Sequence, residues 1–201
     1  IIFLCYNHSM KNYNFFAYLN RMKYIERWSL MRSAMKENIM EHSEQVAQLA
    51  HMLAVIHNTI YGGNVNVGDV VIYAVYHEAS EVITGDLPTP IKYFNADINS
   101  AYKNLEEIAN KKLIKMLPEV FQAQFEKILI TPGPFVEKIV KAADKLAAYI
   151  KCIEEIKFGN SEFVKAKKTI FEDLKQMDML EIDYFLEHFI QGFEKTLDEL
   201  E

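Results

Sequence analysis

The chain has 201 residues, 50% of them hydrophobic and 25% charged, with 13 Phe and 11 Tyr, which suffices for one domain with a sizeable core and excludes intrinsic disorder. A net charge of -6, with basic residues scattered among acidic ones, excludes a clamp for long nucleic acid, and no apolar run approaches the roughly 20 residues that cross a bilayer. Only 7 Gly and 5 Pro occur, clustered at a few places, so the chain reads as all-α rather than as many short strands.

The opening IIFLCY is hydrophobic but has no basic leader and no small-residue cleavage site. Residues 1–9 therefore read as an upstream extension, Met10 as the natural start, and 10–201 as a single domain. Cys5 and Cys152 form neither a disulfide framework nor a metal spacing, so reduced thiols in a cytoplasmic protein are expected.

Phe15, Phe16, Leu19, Met22 and Ile25 predict a first helix over about 12–26, broken near Trp28 and Ser29. Val46, Leu49, Ala50, Leu53 and Ile56 share one face of a second helix that stops before Gly62 and Gly63. A third starts from Asn66, a good N-cap, and runs to Gly85. The stretch Thr84–Pro90 is predicted as a stiff loop, because each proline lacks an amide donor and pushes its predecessor toward extended geometry. Helices follow over about 97–117 and from Pro118 to about Ile130. The next begins at Pro134, runs through Val136, Ile139, Val140, Ala143, Ala147, Ile150 and Ile153, and is closed by Gly159. Two last helices are predicted over about 161–176 and 179–199, the second with Phe185, Phe189 and Phe193 as a core or dimer stripe.

Four residues interrupt these apolar faces with metal-type side chains: His42, the doublet His77-Glu78, and Asp144. Singly each has a plainer reading, a satisfied core histidine for His42 and a solvated carboxylate for Asp144. Together they offer two imidazoles and two carboxylates and leave open positions on an octahedral ion. That set suits a divalent Mn, Co, Zn or Fe better than Ca, and points to Lewis-acid hydrolysis. Glu81, four residues after His77, falls one turn along the same face, where it could handle a proton.

The ordered set His42, His77-Glu78, Asp144 resembles the H…HD…D signature of the HD-domain metal-dependent phosphohydrolases. The strings FFAYLNRMKYIERWSLM, EHSEQVAQLAHMLA, YHEASEVITGDLPTPIKYFN and KAADKLAAYIKCIEE are similar to the bacterial 5'-deoxynucleotidase branch, with GDLPTP the most specific. The resemblance implies a single HD-domain helical bundle that removes the 5'-phosphate from deoxyribonucleoside monophosphates with one divalent cation, as a homodimer. It makes His42, His77, Glu78 and Asp144 metal ligands and Glu81 the proton-handling carboxylate. It gives Arg27 the phosphate, Trp28 the wall of the sugar site, and Asp86, Leu87, Pro88 and Thr89 the nucleoside, with Asp86 as acceptor for the 3'-hydroxyl. Guanidinium bidentate geometry and the bulk of an indole agree with those roles. Lys92 and Lys145 are expected to add positive potential in an acidic protein.

One departure stands out: the family has Asp where this chain has Glu78. The extra methylene moves the carboxylate by about 1.5 Å, against a tolerance of about 0.2 Å in metal–ligand distance, so weaker binding or altered metal preference is expected. The rival readings are an HD-type hydrolase of a triphosphate or of a cyclic or signalling nucleotide, and a nucleotide-binding module that lost turnover through Glu78. A purely structural dimer leaves the four interruptions unexplained.

Overall fold

The computed structural model describes residues 12–201. Cys5 and the expectation of an upstream extension with Met10 as start lie outside those residues. Helix α2 (Ile39–Ile60) starts where the Asn38 side chain accepts from the amides of Met40 and Glu41, both at 3.0 Å. Its inward stripe of Val46, Leu49, Ala50, Leu53 and Ile56 is buried, as the periodicity predicts. Helix α3 (Val67–Tyr76) is capped in the same way by Asn66, whose side chain accepts from Gly68 and Asp69. The third central element, α8 (Pro134–Lys157), opens on a proline that needs no amide partner there. Ala142, Ala143 and Ala147 of α8 are fully buried, and such small side chains let α2 and α3 pack closely against it.

Two cores result. One joins α2, α3, α8 and the C-terminal elements through residues such as Leu53, Ile139, Leu146, Leu174 and Phe185. The other gathers Phe15, Met22, Ile39, Ala79, Leu113 and Leu129. Phe15 anchors it from α1 (Phe15–Leu19), its ring 5.0 Å from that of Phe125. Among the described residues there is no strand, only an isolated antiparallel bridge between Glu26 and Asn38, so the fold is all-α. No helix among them is long and apolar enough to cross a membrane.

Several boundaries differ from the sequence expectation. The first helix tightens to 3₁₀ geometry over Asn20–Tyr24, and the third does not run to Gly85. It stops at Tyr76, and 77–80 form tight turns in which the amide of Ala79 reaches Tyr76 O and that of Glu81 reaches Glu78 O. A short helix α4 (Glu81–Thr84) then ends at Gly85, whose φ of 73° favours glycine. The proline stretch is not wholly loop. A helical turn, α5 (Thr89–Lys92), begins within it, because Pro90 sits in the first turn, where no amide donor is required.

Next come α6 (Ala96–Ile114) and α7 (Glu119–Leu129), close to prediction. After α8 the chain makes a 3₁₀ turn, Ser161–Phe163, and α9 (Val164–Gln176). The last predicted helix is shorter: α10 (Leu180–His188) gives way to 3₁₀ turns over Ile190–Glu194 and Leu197–Glu199. The aromatic stripe splits accordingly: Phe185 is core, Phe193 packs on its edge, and Phe189 is exposed.

Candidate metal centre

His42 lies one turn into α2, Asp144 near the middle of α8, and His77 and Glu78 in the turn that ends α3. Packing of α2, α3 and α8 brings the four together, and one ligand atom from each lies within 4.8 Å of all the others. Ligands at about 2.1 Å on opposite sides of one ion stand about 4.2 Å apart, so this spread is close to what a single cation bridges. The longer Glu78 stays inside the group, with Oε1 3.4 Å from His77 Nε2.

The donor set fits a cation on a second count. His42 Nε2, His77 Nε2 and Asp144 Oδ1 are all buried without a hydrogen-bond partner. The first and last lie 2.9 Å apart but lack hydrogen-bond geometry. An orphaned buried polar atom costs about 1–3 kcal/mol, and a cation between these three satisfies them together. His77 Nδ1 donates to Ala74 O at 2.6 Å, which leaves the Nε2 lone pair free for a metal. Asp144 keeps part of its side chain in solvent, so the centre is open on one side.

The electrostatics agree. Burial and the Arg27 charge oppose protonation of His42, yet Asp144 and Glu37 overcome them and raise its pKa. The field that favours a proton there equally favours a metal cation. Burial opposes charge on Asp144, but His42, Arg27 and His77 hold it well below the usual carboxylate range. Glu81 is buried, and burial together with the adjacent Glu78 carboxylate pushes it up to about 11. Both causes favour the protonated acid. Glu81 opens a new helix rather than continuing α3, so the expected single face shared with His77 does not exist; the turn at 77–80 delivers it instead.

Arg27 reaches the centre from the segment before α2, with Nη2 3.5 Å from Asp144 Oδ1 and Nη1 3.3 Å from Glu37 Oε1. Its Nη1 also lies 2.6 Å from His42 Nδ1. A guanidinium only donates, so this contact requires the His42 proton on Nε2. A metal on Nε2 requires it on Nδ1, where Glu37 Oε1, 3.3 Å away, is the acceptor. Metal ligation and the Arg27–His42 contact thus exclude each other. Trp28 has a φ of 60°, rare for a bulky residue, donates from Nε1 to Glu37 Oε2 at 2.8 Å, and sets its ring 5.4 Å from Phe163.

Asp86, Leu87 and Pro88 link α4 to α5, and Thr89 opens α5. Burial and Glu78 raise the Asp86 pKa against the pull of Arg27, which puts this carboxylate in the field of the centre. Of the two expected cations, Lys92 pairs with Glu106 at 2.9 Å while still acting on Glu81 and Asp86. Lys145 turns away to Asp173 of α9, at 2.7 Å. Glu37 was not anticipated from the sequence. It sits in a polar run beside a helix cap, where a carboxylate ordinarily faces water, and only the fold shows it touching Arg27, Trp28 and His42.

Solved structures share this architecture. An HD-domain phosphohydrolase of Listeria innocua superposes with a TM-score of 0.79 at 24% identity, covering 90% of this chain and 88% of that one. A cyanophage S-2L HD phosphohydrolase bound to dA and one catalytic Zn2+ ion gives 0.64 at 19% identity, over 88% and 96% of the two chains. The fold is thus that of the HD-domain phosphohydrolases. The sequence matches the family described as 5'-deoxynucleotidase YfbR-like over residues 14–193. A 5'-deoxynucleotidase of Vibrio vulnificus (strain YJ016) is 49% identical over 193 residues, 95% of this chain and 100% of that protein. The 5'-deoxynucleotidase YfbR of Escherichia coli O1:K1 / APEC is 48% identical over 193 residues, 95% and 97% of the two chains. The chain belongs to the YfbR-like 5'-deoxynucleotidase family.

Proposed function

We propose that this protein hydrolyses deoxyribonucleoside 5'-monophosphates to deoxyribonucleoside and phosphate, using one divalent cation such as Co, Mn or Zn. The observation that carries the reading is the convergence of His42, His77, Glu78 and Asp144 around buried, unpartnered ligand atoms, in a chain about half identical to curated 5'-deoxynucleotidases. The bound cation would supply Lewis acidity, polarising phosphoryl oxygens and acidifying water.

The residues of the chain do the rest. A water oxygen joins phosphorus, the bond from phosphorus to the 5'-oxygen breaks, and that oxygen takes a proton. Glu81, buried against Glu78, gives that proton, and the proton shed by the attacking water restores the Glu81 acid. Arg27, released from His42 when Nδ1 must donate to Glu37, is free to grip two phosphate oxygens and orient the group for attack. Trp28 walls the sugar and refuses a 2'-hydroxyl by bulk, while Asp86 accepts from the 3'-hydroxyl. Leu87, Pro88 and Thr89 line the nucleoside side, stiffened by proline so that little order is lost on binding.

The homodimer implied by the family likeness has a candidate face. A groove of about 660 Å³ is lined by Phe16, Leu19, Met22, Met40, Val75 and Tyr76, and three of these, Phe16, Met40 and Val75, are exposed apolar side chains of α1, α2 and α3. A second copy of the chain would cover them. A cytoplasmic setting suits the free, buried Cys152, whose thiol burial pushes up to about 12.

The test is phosphate release from matched deoxy and ribo monophosphates by metal-stripped protein resupplied with Mn, Co, Zn or Mg. Metal-dependent release that favours deoxy substrates is expected. Equal rates on both sugars would remove the Trp28 and Asp86 roles, and nucleotide binding without release under every metal would favour a binding module disabled at Glu78.

A further inference from the structure

The segment that carries Arg27, Trp28 and Glu37 is a loop over 26–38, closed at its base by the Glu26–Asn38 bridge, by the Arg27 amide donating to Glu37 O at 2.9 Å and by that of Ile39 donating to Ile25 O at 3.0 Å. Its tip is fastened elsewhere. The amides of Ala34 and Met35 donate to the two carboxylate oxygens of Glu155, at 2.7 and 3.1 Å. Lys151 Nζ donates to Met35 O at 2.5 Å and pairs with Glu155 at 2.6 Å. Asn160 Nδ2 donates to Arg32 O at 2.7 Å and to Glu155 Oε2 at 2.8 Å.

Lys151 and Glu155 follow Asp144 by seven and eleven residues, so all three share one face of α8 within about 20° of each other's mean direction, the pair lying about 10 and about 16 Å further along the axis. One helix face thus sets both a candidate metal ligand and the anchor of the loop. Glu155 is 1% exposed and Lys151 6%. An ion pair this buried carries a desolvation cost, which the two amides, Lys151 and Asn160 offset, so the tip is held firmly where a surface loop could move.

Trp28 supplies the reason. A bulky residue at positive φ costs about 1–3 kcal/mol and persists only where its surroundings over-determine it. Freed at its tip, the loop can let Trp28 relax toward ordinary backbone angles and swing its indole. We propose that Lys151, Glu155 and Asn160 form a positioning clasp that sets sugar specificity, holding the loop so that Trp28 cannot yield to a 2'-hydroxyl. This rests on the reading of Trp28 as the sugar wall given above.

The experiment compares wild type, Trp28→Ala, Glu155→Gln and Asn160→Ala as metal-loaded enzymes. Two quantities are read: the ratio of kcat/KM for deoxy over ribo monophosphates of one base, and the fluorescence anisotropy of Trp28, the single tryptophan of the chain, without substrate. Glu155→Gln and Asn160→Ala are expected to lower the ratio about 10-fold, part of the roughly 100-fold that an apolar wall can impose against a hydroxyl, and to lower the anisotropy. Folded variants that keep the wild-type ratio while Trp28→Ala loses it would overturn the clasp and leave the wall standing. If Trp28→Ala itself keeps the ratio, the sugar-wall reading fails and the specificity role falls with it. Should Glu155→Gln not fold, Asn160→Ala, half-buried at the edge of the clasp, decides alone.

Discussion

The indole nitrogen of Trp28 and the carboxylate of Glu37 are joined by a 2.8 Å hydrogen bond across the mouth of one loop, and the other oxygen of that carboxylate faces both Arg27 and His42. Glu37 therefore ties the residue assigned to the sugar, the residue assigned to phosphate and a candidate metal ligand to one rigid group. Replacing it with Gln keeps the shape but removes the charge and half of the acceptor capacity. Glu37→Gln is expected to lower metal affinity or turnover by about 10- to 100-fold, the usual effect of losing a carboxylate behind a ligating histidine. Calorimetric metal titration and steady-state kinetics on the same preparation check it; unchanged values in both would remove Glu37 from the centre.

Asp144 supplies both a candidate ligand oxygen and the counter-charge for His42 and Arg27. Asp144→Ala should abolish metal-dependent phosphate release and leave Arg27 beside a centre without that carboxylate. Glu78→Asp should shift the order in which Mn, Co and Zn activate the enzyme, because one methylene moves the oxygen by about 1.5 Å. Metal analysis of the purified variants, read beside their activation profiles, tests both.

The groove between α1, α2 and α3 leaves Phe16 62% and Val75 43% exposed. Placing charges there, as in Phe16→Glu with Val75→Glu, should convert a dimer to monomers without unfolding the helices, since neither side chain belongs to the buried core. Sedimentation velocity, with circular dichroism as the control, gives the answer; a wild type that already sediments as a monomer would end the proposal.

Acid should release the loop clasp late. Burial alone would raise the Glu155 pKa, but Lys151, the amides of Ala34 and Met35, and Asn160 bring it from 4.5 to about 2. Because the folded value lies below the unfolded one, the stabilisation is complete above about pH 4.5 and fades as pH falls toward about 2. Trp28 emission in wild type should change within that window, and the part of the change owed to the clasp should be missing from Glu155→Gln, while the part owed to Glu37, which accepts from the indole, remains. A transition above pH 5 that Glu155→Gln abolishes would contradict the assignment.

Much of this was legible in the residues themselves. Asn66, Pro134 and Gly159 mark helix ends by chemistry that acts within a few residues. The buried stripes of α2 and α8 follow from spacing alone. His42, His77, Glu78 and Asp144 stood out because metal-type side chains broke apolar faces. Helical periodicity continues past Tyr76 to Gly85 and past His188 to 199, but tight turns at 77–80 and after His188 take the backbone elsewhere.

Sequence by itself determined the helical class and the metal-type side chains that interrupt its apolar faces, since each depends on a residue and its near neighbours. Only the tertiary structure decided that four such atoms meet within 4.8 Å, that Glu81 lies buried against Glu78, that Lys145 serves Asp173, and that Glu37 and Glu155 hold one loop from its two ends. Most of those contacts join residues 9 to more than 100 positions apart, and no local periodicity encodes the close packing of α2, α3 and α8 that makes them neighbours.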